Sequence, residues 1–310
     1  MSGLSCSPLP PMRAGSCITD NGEIMAKSVT RSLRDERQRN AVRIFNEACY
    51  RHNRWSVWAD FVVMAAISIS NTADKTHAEA REKTYISLAK KYNQQELDCF
   101  SRMLAEIVCG IDECPDQDFL GELFMVLELG NSHNGQFFTP YDVCRAMAAM
   151  TYGEDLKRKI ETQGWISVND PACGAGALLV AFANECRRLG NDINYQTSVL
   201  FVAQDIDLVA GCMCYIQLSL LGCPGYVVID DTLLRPSTSI DARGLIPVPR
   251  ENVWYTPFYF RDVWHYRRLI AQLDLLFKPT GSEAAVPTLP EEEPTPPQLN
   301  EAKGGQLTFF

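Results

Sequence analysis

The segment DPACGAGALL at 170–179 constrains the fold of this chain more than any other part of its sequence. Residues 165–169 have the apolar character of a short strand, and residues 175–188 have the pattern of a helix. A glycine turn between a strand and a helix lets a ligand approach bare backbone and the helix N-terminus. The sequence therefore predicts a strand–turn–helix unit that binds a ligand beside Gly174 and Gly176.

Strands and helices continue to alternate after this unit. Strands are predicted at 199–203 and 226–229, and a helix is predicted between them at 207–221. Such alternation indicates a parallel sheet with right-handed crossovers, whose ligands bind at the carboxyl ends of the strands. We therefore predict an α/β, Rossmann-like domain over 131–278. Its sheet is expected to be truncated, because few residues remain for further strands.

The first third of the chain has a helical pattern instead. Apolar residues from Trp55 to Ile69 recur at intervals of three, four and seven positions, as in a buried helical stripe, and further helices follow as far as Leu129. The end of the chain is rich in Pro, Glu and Thr, which is typical of disorder. The predicted regions are a flexible leader (1–27), a helical domain (28–130), the Rossmann-like domain (131–278) and a disordered tail (279–310).

Composition limits the classes of function. The net charge of −9 does not suit a protein that binds nucleic acid through bulk positive charge. Among the 12 cysteines no CxxC pair occurs, and many fall in apolar segments, which indicates free thiols in a reducing cytoplasm rather than disulfides or a metal site. The longest apolar stretch, Val57–Ile69, is too short to span a membrane and contains Asp60. We therefore expect a cytoplasmic protein without a membrane segment or a metal.

Two classes of cofactor use a strand, a glycine turn and a helix, with an acid at the end of the next strand. Dinucleotide sites require GxGxxG, and Leu179 occupies the third glycine position, which disfavours a nicotinamide-dependent oxidoreductase. S-adenosylmethionine (SAM) requires a carboxylate for its ribose hydroxyls and close approach to the backbone. Asp205 follows the second strand and is placed for the ribose, and Asp231 follows the third strand and is placed for the adenine amino group. The pattern favours SAM.

Four motifs together resemble those of the adenine-N6 DNA methyltransferases, in particular the M subunits of type I restriction-modification systems. They are GQFFTP at 135–140, DPACGAGALL at 170–179, AQD at 203–205 and DTLL at 231–234, and DFLGELF at 118–124 resembles the family's lead-in segment. The resemblance covers about residues 50–235. It implies a SAM-dependent methyltransferase that acts on double-stranded DNA. The cofactor-binding residues that it implies are Gln136, Phe137, Thr139, Pro140, Asp170, Cys173, Gly174 and Gly176.

The catalytic tetrad of these enzymes, Asn-Pro-Pro followed by Tyr or Phe, is missing in its usual form. In that tetrad an Asn side chain and a proline carbonyl accept hydrogen bonds from the target amine, and the aromatic ring stacks on the flipped base. The nearest counterpart is TPFY at 256–259, which makes Thr256, Pro257 and Phe258 the candidate catalytic residues. A hydroxyl makes fewer and weaker contacts than an amide. A packed aromatic segment without a catalytic role is therefore the alternative.

Two groups of basic residues are candidates for DNA contact. Seven arginines lie between Arg31 and Arg54, either as a phosphate-contacting face or as an ordinary solvated helix. A smaller group comprises Arg261, His265, Arg267 and Arg268.

The last five residues, QLTFF, break the pattern of the tail. They resemble the short peptides that bind the bacterial sliding clamp, in which a glutamine and spaced apolar residues enter a hydrophobic pocket. The candidate partner-binding residues are Gln306, Leu307, Phe309 and Phe310.

The leading hypothesis is a SAM-dependent DNA adenine-N6 methyltransferase that serves DNA modification. The alternative is a non-catalytic SAM-binding subunit or regulator of a DNA-modification complex, in which a separate specificity or catalytic subunit supplies what this chain lacks. The motifs of the cofactor site favour the enzyme, and the altered tetrad favours the alternative.

Overall fold

The computed structural model describes residues 33, 35–127, 129, 138–152, 154–188, 193–277, 299–302 and 306–309. The described residues as far as Ala271 belong to one compact unit, and those from Gln272 onward belong to a second.

Helices account for the described part of the chain before residue 127. They are α1 (Glu36–Ala48), α2 (Arg54–Ala73), α3 (Ala78–Ala89), α4 (Gln94–Glu113) and α5 (Phe119–Val126), with a 3₁₀ turn at Cys49–Arg51 between the first two. Four of these helices begin after a residue whose side chain accepts a hydrogen bond from the first turn: Asp35, Asn53, Asn93 and Asp118. The predicted helices are confirmed, with small changes at their ends.

The following part of the chain alternates between helices and strands. Its elements are α6 (Tyr141–Thr151), α7 (Glu154–Gln163), β1 (Ile166–Asp170), α8 (Ala177–Arg188), α9 (Tyr195–Ser198), β2 (Val199–Asp205), α10 (Leu208–Leu220), β3 (Gly225–Ile229), β4 (Val253–Tyr255), a 3₁₀ turn (Pro257–Phe260) and α11 (Asp262–Phe277). The three predicted strands and the two predicted crossover helices are therefore confirmed to within two residues.

The sheet has the order β1-β2-β3-β4. Strands β1, β2 and β3 are parallel, with Asp170 opposite Ala203 and Asp205 opposite Ile229, whereas β4 runs antiparallel to β3. A complete doubly wound sheet continues on the far side of its first strand, and ligands bind where the order reverses. Among the described residues β1 is paired on one side only. The described sheet therefore forms one wing of a doubly wound fold.

Alternate residues of β2 enter two different hydrophobic clusters. Phe201 faces the larger cluster, which contains residues of α8 and α10 and the buried apolar residues of α1, α2, α4 and α5. Val202 faces a smaller cluster with Trp264 of α11. The sequence predicted a domain boundary near residue 130, but the helices on both sides of that position share one core. The reason is that α10 is buried all round and packs against both the sheet and α2.

A buried arginine joins the helical part to the outer strand of the sheet. Arg81 of α3 is 7% exposed and donates to Asp74 Oδ2 at 2.9 Å and to the carbonyl of Val253 at 2.7 Å. Its guanidinium lies 4.1 Å from the ring centroid of Trp254. Since these contacts satisfy a carbonyl of β4 and cover its tryptophan, the β4 side of the sheet is closed by the chain itself.

Among the described helices, α2 alone is long and apolar enough to cross a membrane. It is longer than the apolar stretch recognised in the sequence. Most of its apolar side chains, including Trp58, Phe61 and Val62, are buried inside the protein, and core helices pass the same length and hydropathy test.

The second unit contains two short strands, β5 (Leu299–Ala302) and β6 (Gln306–Phe309), which pair antiparallel. These strands lie within 279–310, where disorder stays a prediction. Apolar residues at Leu299, Leu307 and Phe309 favour strand formation, and the sequence between the strands contains a Gly-Gly pair typical of hairpin connections. The leader and residues 278–298 lie outside the described residues.

Candidate functional site

The turn after β1 requires glycine at two positions. Gly174 has φ of +52° and Gly176 has φ of +92°, both in the left-handed region. A Cβ on Gly174 would lie 2.9 Å from the ring of Phe138, and a Cβ on Gly176 would lie 2.8 Å from Cys214 Sγ. The predicted glycine turn is therefore present, and each glycine is also needed for close packing.

Asp205 holds this turn against the end of β2. Its Oδ2 accepts a hydrogen bond from the Gly174 N–H at 2.8 Å, and its Oδ1 accepts one from the Asp207 N–H at 2.9 Å. The Cys173 N–H donates to the carbonyl of Gln204 at 3.0 Å. A carboxylate offers about four acceptor positions. Two backbone bonds therefore leave acceptor capacity for hydroxyl groups of a ligand.

A cavity of about 460 Å³ opens at the carboxyl ends of β1 and β2. Its volume lies within the range of small-molecule and cofactor sites, roughly 300–1,000 Å³. The cavity is lined by Phe138, Thr139, Cys144, Met147, Asp170, Ala172, Cys173, Gly174, Ala175, Ala177, Leu178, Asp205, Ile206 and Ala210. Five residues selected from the sequence therefore meet in one site, namely Thr139, Asp170, Cys173, Gly174 and Asp205.

Burial changes the acid–base properties of the cavity wall. Burial is the main cause that raises the pKa of Asp170, although the Ala172 N–H hydrogen bond to its Oδ1 opposes the change. The pKa of the Cys173 thiol is raised well above its ordinary value, first by a hydrogen bond with Cys214 and then by burial. Cys173 is therefore a neutral thiol at physiological pH, which suits a packing role rather than nucleophilic chemistry.

The turn after β3 lies beside the glycine turn that follows β1. The Thr232 hydroxyl donates to the carbonyl of Pro171 at 2.6 Å. Asp231 Oδ1 accepts from the N–H groups of Leu233 and Leu234 at 2.8 and 3.2 Å. Asp231 thus shapes this turn and does not line the cavity, and its contact with an adenine amino group remains a prediction.

The GQFFTP segment meets the cavity through Thr139 and also through Phe138, which the sequence analysis did not select. Phe138 lies against Gly174 and lines the cavity. Pro140 precedes α6 and lines a neighbouring cleft of about 1,010 Å³, whose wall also includes Phe138 and Thr139. Gln136 and Phe137 lie outside the described residues. The signal for Phe138 was its place inside the motif, and its contact with Gly174 is seen only in the fold.

Other residues of the site carried no motif at all. Cys144 and Met147 come from α6, and Ile206 directly follows Asp205. These side chains reach the cavity because α6 packs on α8, the helix that begins at the glycine turn.

The candidate catalytic segment lies at the other end of the sheet. Thr256 is fully buried, and its Oγ1 accepts from the Gly225 N–H at 3.0 Å and donates to the carbonyl of Cys223 at 2.7 Å. Gly225 is opposite Phe201, four residues before Asp205 along β2, or about 13 Å away at the usual rise of a strand. The structure therefore does not bring this segment to the cavity.

The assignment of Thr256, Pro257 and Phe258 as catalytic residues stays a prediction, which their distance from the cavity does not support. The physical reason is the antiparallel direction of β4, whose C-terminal end points away from the carboxyl ends of β1, β2 and β3. Arg261 stacks on Phe258, with its guanidinium 3.8 Å from the ring centroid. The alternative interpretation from the sequence, a packed aromatic segment, describes these residues.

Most arginines of the described helical part are engaged within the protein. Arg37 pairs with Glu106 and Glu113, Arg43 pairs with Glu47, and Arg51 pairs with Glu96. Arg31 and Arg34 lie outside the described residues. These ion pairs support the interpretation of an ordinary solvated helix rather than a phosphate-contacting face.

The smaller basic group also has internal partners. Arg267 donates to the carbonyls of Gly164 and Thr197, and Arg268 donates to the carbonyl of Tyr259. Arg268 also stacks on the Tyr259 ring, with its guanidinium 3.8 Å from the centroid.

The fold and the cavity define an α/β protein in which a glycine turn and a strand-end carboxylate meet at one cavity. The sequence model of the N-6 DNA methylase family matches residues 118–272, half of the chain. The chain belongs to this family of DNA methyltransferases. The match begins at the residue that caps α5 and contains the whole sheet, whereas α1–α4 precede it.

Two further comparisons gave no relatives to set beside this chain. Neither the search of curated proteins nor the search of solved structures found a match.

Proposed function

We propose that this chain binds SAM in the cavity between β1 and β2 and serves the methylation of adenine N6 in double-stranded DNA, as the M subunits of type I restriction-modification systems do. One observation carries the proposal. A member of the N-6 DNA methylase family holds its glycine turn and a strand-end carboxylate, Asp205, in a single cavity of cofactor size.

The residues of the cavity fit the chemistry of this cofactor. The free acceptor positions of Asp205 suit the two ribose hydroxyls, and the bare backbone at Gly174 permits close approach of the ligand. Asp231 is proposed for the adenine amino group, and the methionine end is assigned to Thr139 and Pro140, together with Gln136 and Phe137. When bound, SAM supplies an electrophilic methyl group to an amine.

A second candidate function is favoured by the position of the TPFY segment. Thr256 is buried at the opposite end of the sheet, and β1 has no strand on its far side among the described residues. The groups that activate the target amine would then come from another polypeptide. In this form of the proposal the chain is the SAM-binding subunit of a DNA-modification complex, and a separate catalytic or specificity subunit completes it.

Methyl transfer by the purified full chain tests the first form of the proposal, in which the chain is a self-sufficient enzyme. The protein is incubated with SAM and unmethylated double-stranded DNA, N6-methyladenine is counted by mass spectrometry, and SAM affinity is measured by calorimetry. Asp205→Ala should weaken SAM binding about 100-fold or more, because charge-assisted hydrogen bonds are lost. Asp207→Asn is the matched control, since Asp207 caps α10 through the Ala210 N–H and does not line the cavity.

The outcomes separate the two forms. N6-methyladenine that disappears in Asp205→Ala supports a self-sufficient enzyme, with amine-binding groups other than Thr256. SAM binding without methyl transfer refutes that form and leaves the SAM-binding subunit. If wild-type protein does not bind SAM, or if Asp207→Asn loses affinity as Asp205→Ala does, the proposed cofactor site is wrong.

Two lesser proposals concern partners and location. We propose that QLTFF at 306–310 binds the bacterial sliding clamp, and the extended backbone of β6 supports this. Fluorescence anisotropy of a labelled 299–310 peptide with purified clamp tests it, and equal binding of a peptide with Gln306, Leu307 and Phe309 replaced by alanine would refute it. We also propose a cytoplasmic location, because the ten described cysteines are free thiols.

A further inference from the structure

One buried amide connects the cofactor loop with the N-terminus of α5. Gln217 of α10 is 1% exposed. Its Nε2 donates to Asp118 Oδ1 at 2.8 Å and to the carbonyl of Ala175 at 2.8 Å, and its Oε1 accepts from the Leu120 N–H at 3.2 Å. Both hydrogens of the amide are therefore used, and a single side chain holds two separate segments.

The loop contact is made at the most constrained point of the turn. Ala175 stands between Gly174, whose N–H donates to Asp205, and Gly176, whose backbone packs against Cys214. The Ala175 carbonyl has no other partner among the described hydrogen bonds. The bond from Gln217 thus holds the carbonyl side of the peptide plane between Ala175 and Gly176, whose N–H donates to the carbonyl of Cys173 at 2.7 Å.

Asp118 determines the orientation of the Gln217 amide. Its carboxylate is 3% exposed and accepts from the Gly121 N–H at 3.0 Å, as the cap of α5. Because its Oδ1 is an acceptor, it selects the Gln217 rotamer in which Nε2, and not Oε1, faces the loop carbonyl. Asp118 also lines the larger cleft, which shares Phe138 and Thr139 with the cofactor cavity.

We propose that Gln217 is a positioning residue for the cofactor loop and that Asp118 orients it, so that the start of α5 and the loop are held as one unit. The inference rests on the proposed function only for its ligand, SAM. The hydrogen-bonded chain Asp118–Gln217–Ala175 runs from the larger cleft to the cofactor cavity. An occupant of the cleft that contacts Asp118 is thereby linked to the loop that binds the cofactor.

A second buried amide provides a control that distinguishes positioning of the loop from a general structural role. Asn184 of α8 is also a buried amide, and it donates to the carbonyls of Pro115 at 2.7 Å and Val180 at 2.9 Å. It therefore also ties the cofactor-binding part to the helical part. It makes no hydrogen bond to the loop between Gly174 and Gly176.

The experiment compares Gln217→Leu with Asn184→Leu in the full chain. SAM affinity is measured by calorimetry on folded protein, and amide hydrogen exchange of residues 170–180 is measured without SAM. Gln217→Leu should weaken SAM binding about tenfold or more and speed exchange in the loop to a similar degree, because a buried carbonyl loses its donor. Asn184→Leu should lower thermal stability and leave both loop exchange and SAM affinity within about twofold of wild type.

Asp118 supplies a conservative rescue. Asp118→Asn retains an acceptor oxygen for Gln217 and should keep SAM affinity within about threefold of wild type, whereas Asp118→Ala should weaken binding as Gln217→Leu does. Unchanged loop exchange in Gln217→Leu would overturn the inference, whether or not SAM binds. Faster exchange in a protein that does not bind SAM would support the positioning role and refute the proposed cofactor. Equal effects of Gln217→Leu and Asn184→Leu would show a general structural role and overturn the inference.

Discussion

Replacing Gly176 by alanine tests whether the turn after β1 is held in one conformation by its packing. The alanine would occupy a backbone with φ of +92°, which side chains rarely adopt. Its Cβ would lie 2.8 Å from Cys214 Sγ, 3.2 Å from Cys214 Cβ and 3.3 Å from the Cα of the same residue. The thiol can turn away, but the backbone of α10 cannot move without disturbing the core.

The expected loss has two parts. A non-glycine residue in such a conformation costs about 1–3 kcal/mol, and overpacking of a tight contact costs about 1–3 kcal/mol more. We therefore expect the free energy of unfolding to fall by about 2–6 kcal/mol. A loop that moves to relieve the strain displaces the Gly174 N–H from Asp205, so SAM affinity should fall by about tenfold or more, the equivalent of 1.4 kcal/mol.

Gly164 provides the control. Its φ of +76° is also in the left-handed region, but a Cβ there would meet no atom within 4 Å. Gly164→Ala therefore has the free-energy cost of an alanine in the left-handed region but no overpacked contact. Stability is measured by urea unfolding and affinity by calorimetry. If Gly176→Ala loses no more stability than Gly164→Ala and binds SAM as wild type does, the argument from packing is refuted.

Two further predictions concern stability. Arg81→Leu should lower the free energy of unfolding by about 3–5 kcal/mol, because it leaves Asp74 buried without its guanidinium partner. Arg37→Leu is the control: it breaks an exposed ion pair and should lower the free energy of unfolding far less. Similar losses for the two variants in urea unfolding would contradict the role of the buried pair. Burial raises the pKa of Asp118 to about 6. A raised carboxyl pKa means that the folded protein binds more protons than the unfolded chain. This group's contribution to stability is therefore lost as pH rises from about 4 to about 6, by roughly 3 kcal/mol. Asp118→Asn should therefore become more stable relative to wild type as pH rises through that window, and a constant difference between pH 4 and 7 in urea unfolding would contradict the burial argument.

Combining Gly176→Ala with Gln217→Leu in one protein separates two causes of weak SAM binding. Gly176→Ala strains the loop from within, whereas Gln217→Leu removes its support from outside. Because both residues act on the Ala175 peptide planes, their effects on SAM affinity should not add. Strict additivity would show that the loop is not a single mechanical unit.

The elements of the fold and the centre of the site follow from local sequence. Periods of 3.6 and 2 predict the helices and strands, and the turn at Gly174 and Gly176 requires residues without a side chain. Asp205 was identified because an acid at the end of a parallel strand reaches the same edge as the preceding glycine turn. These features depend on neighbours close in the chain, and the residues themselves are sufficient to show them.

Tertiary structure decided what depends on distant contacts. The tetrad-like segment at Thr256 has a plausible composition, but the direction in which β4 pairs with β3 places it at the wrong end of the sheet, and no local pattern encodes that direction. Likewise, Gln217 belongs to no recognised motif, and Phe138 was not selected within the motif that contains it. They reach the cofactor loop because α10 and the segment before α6 pack around it, and such packing becomes visible only when residues far apart in sequence are brought together.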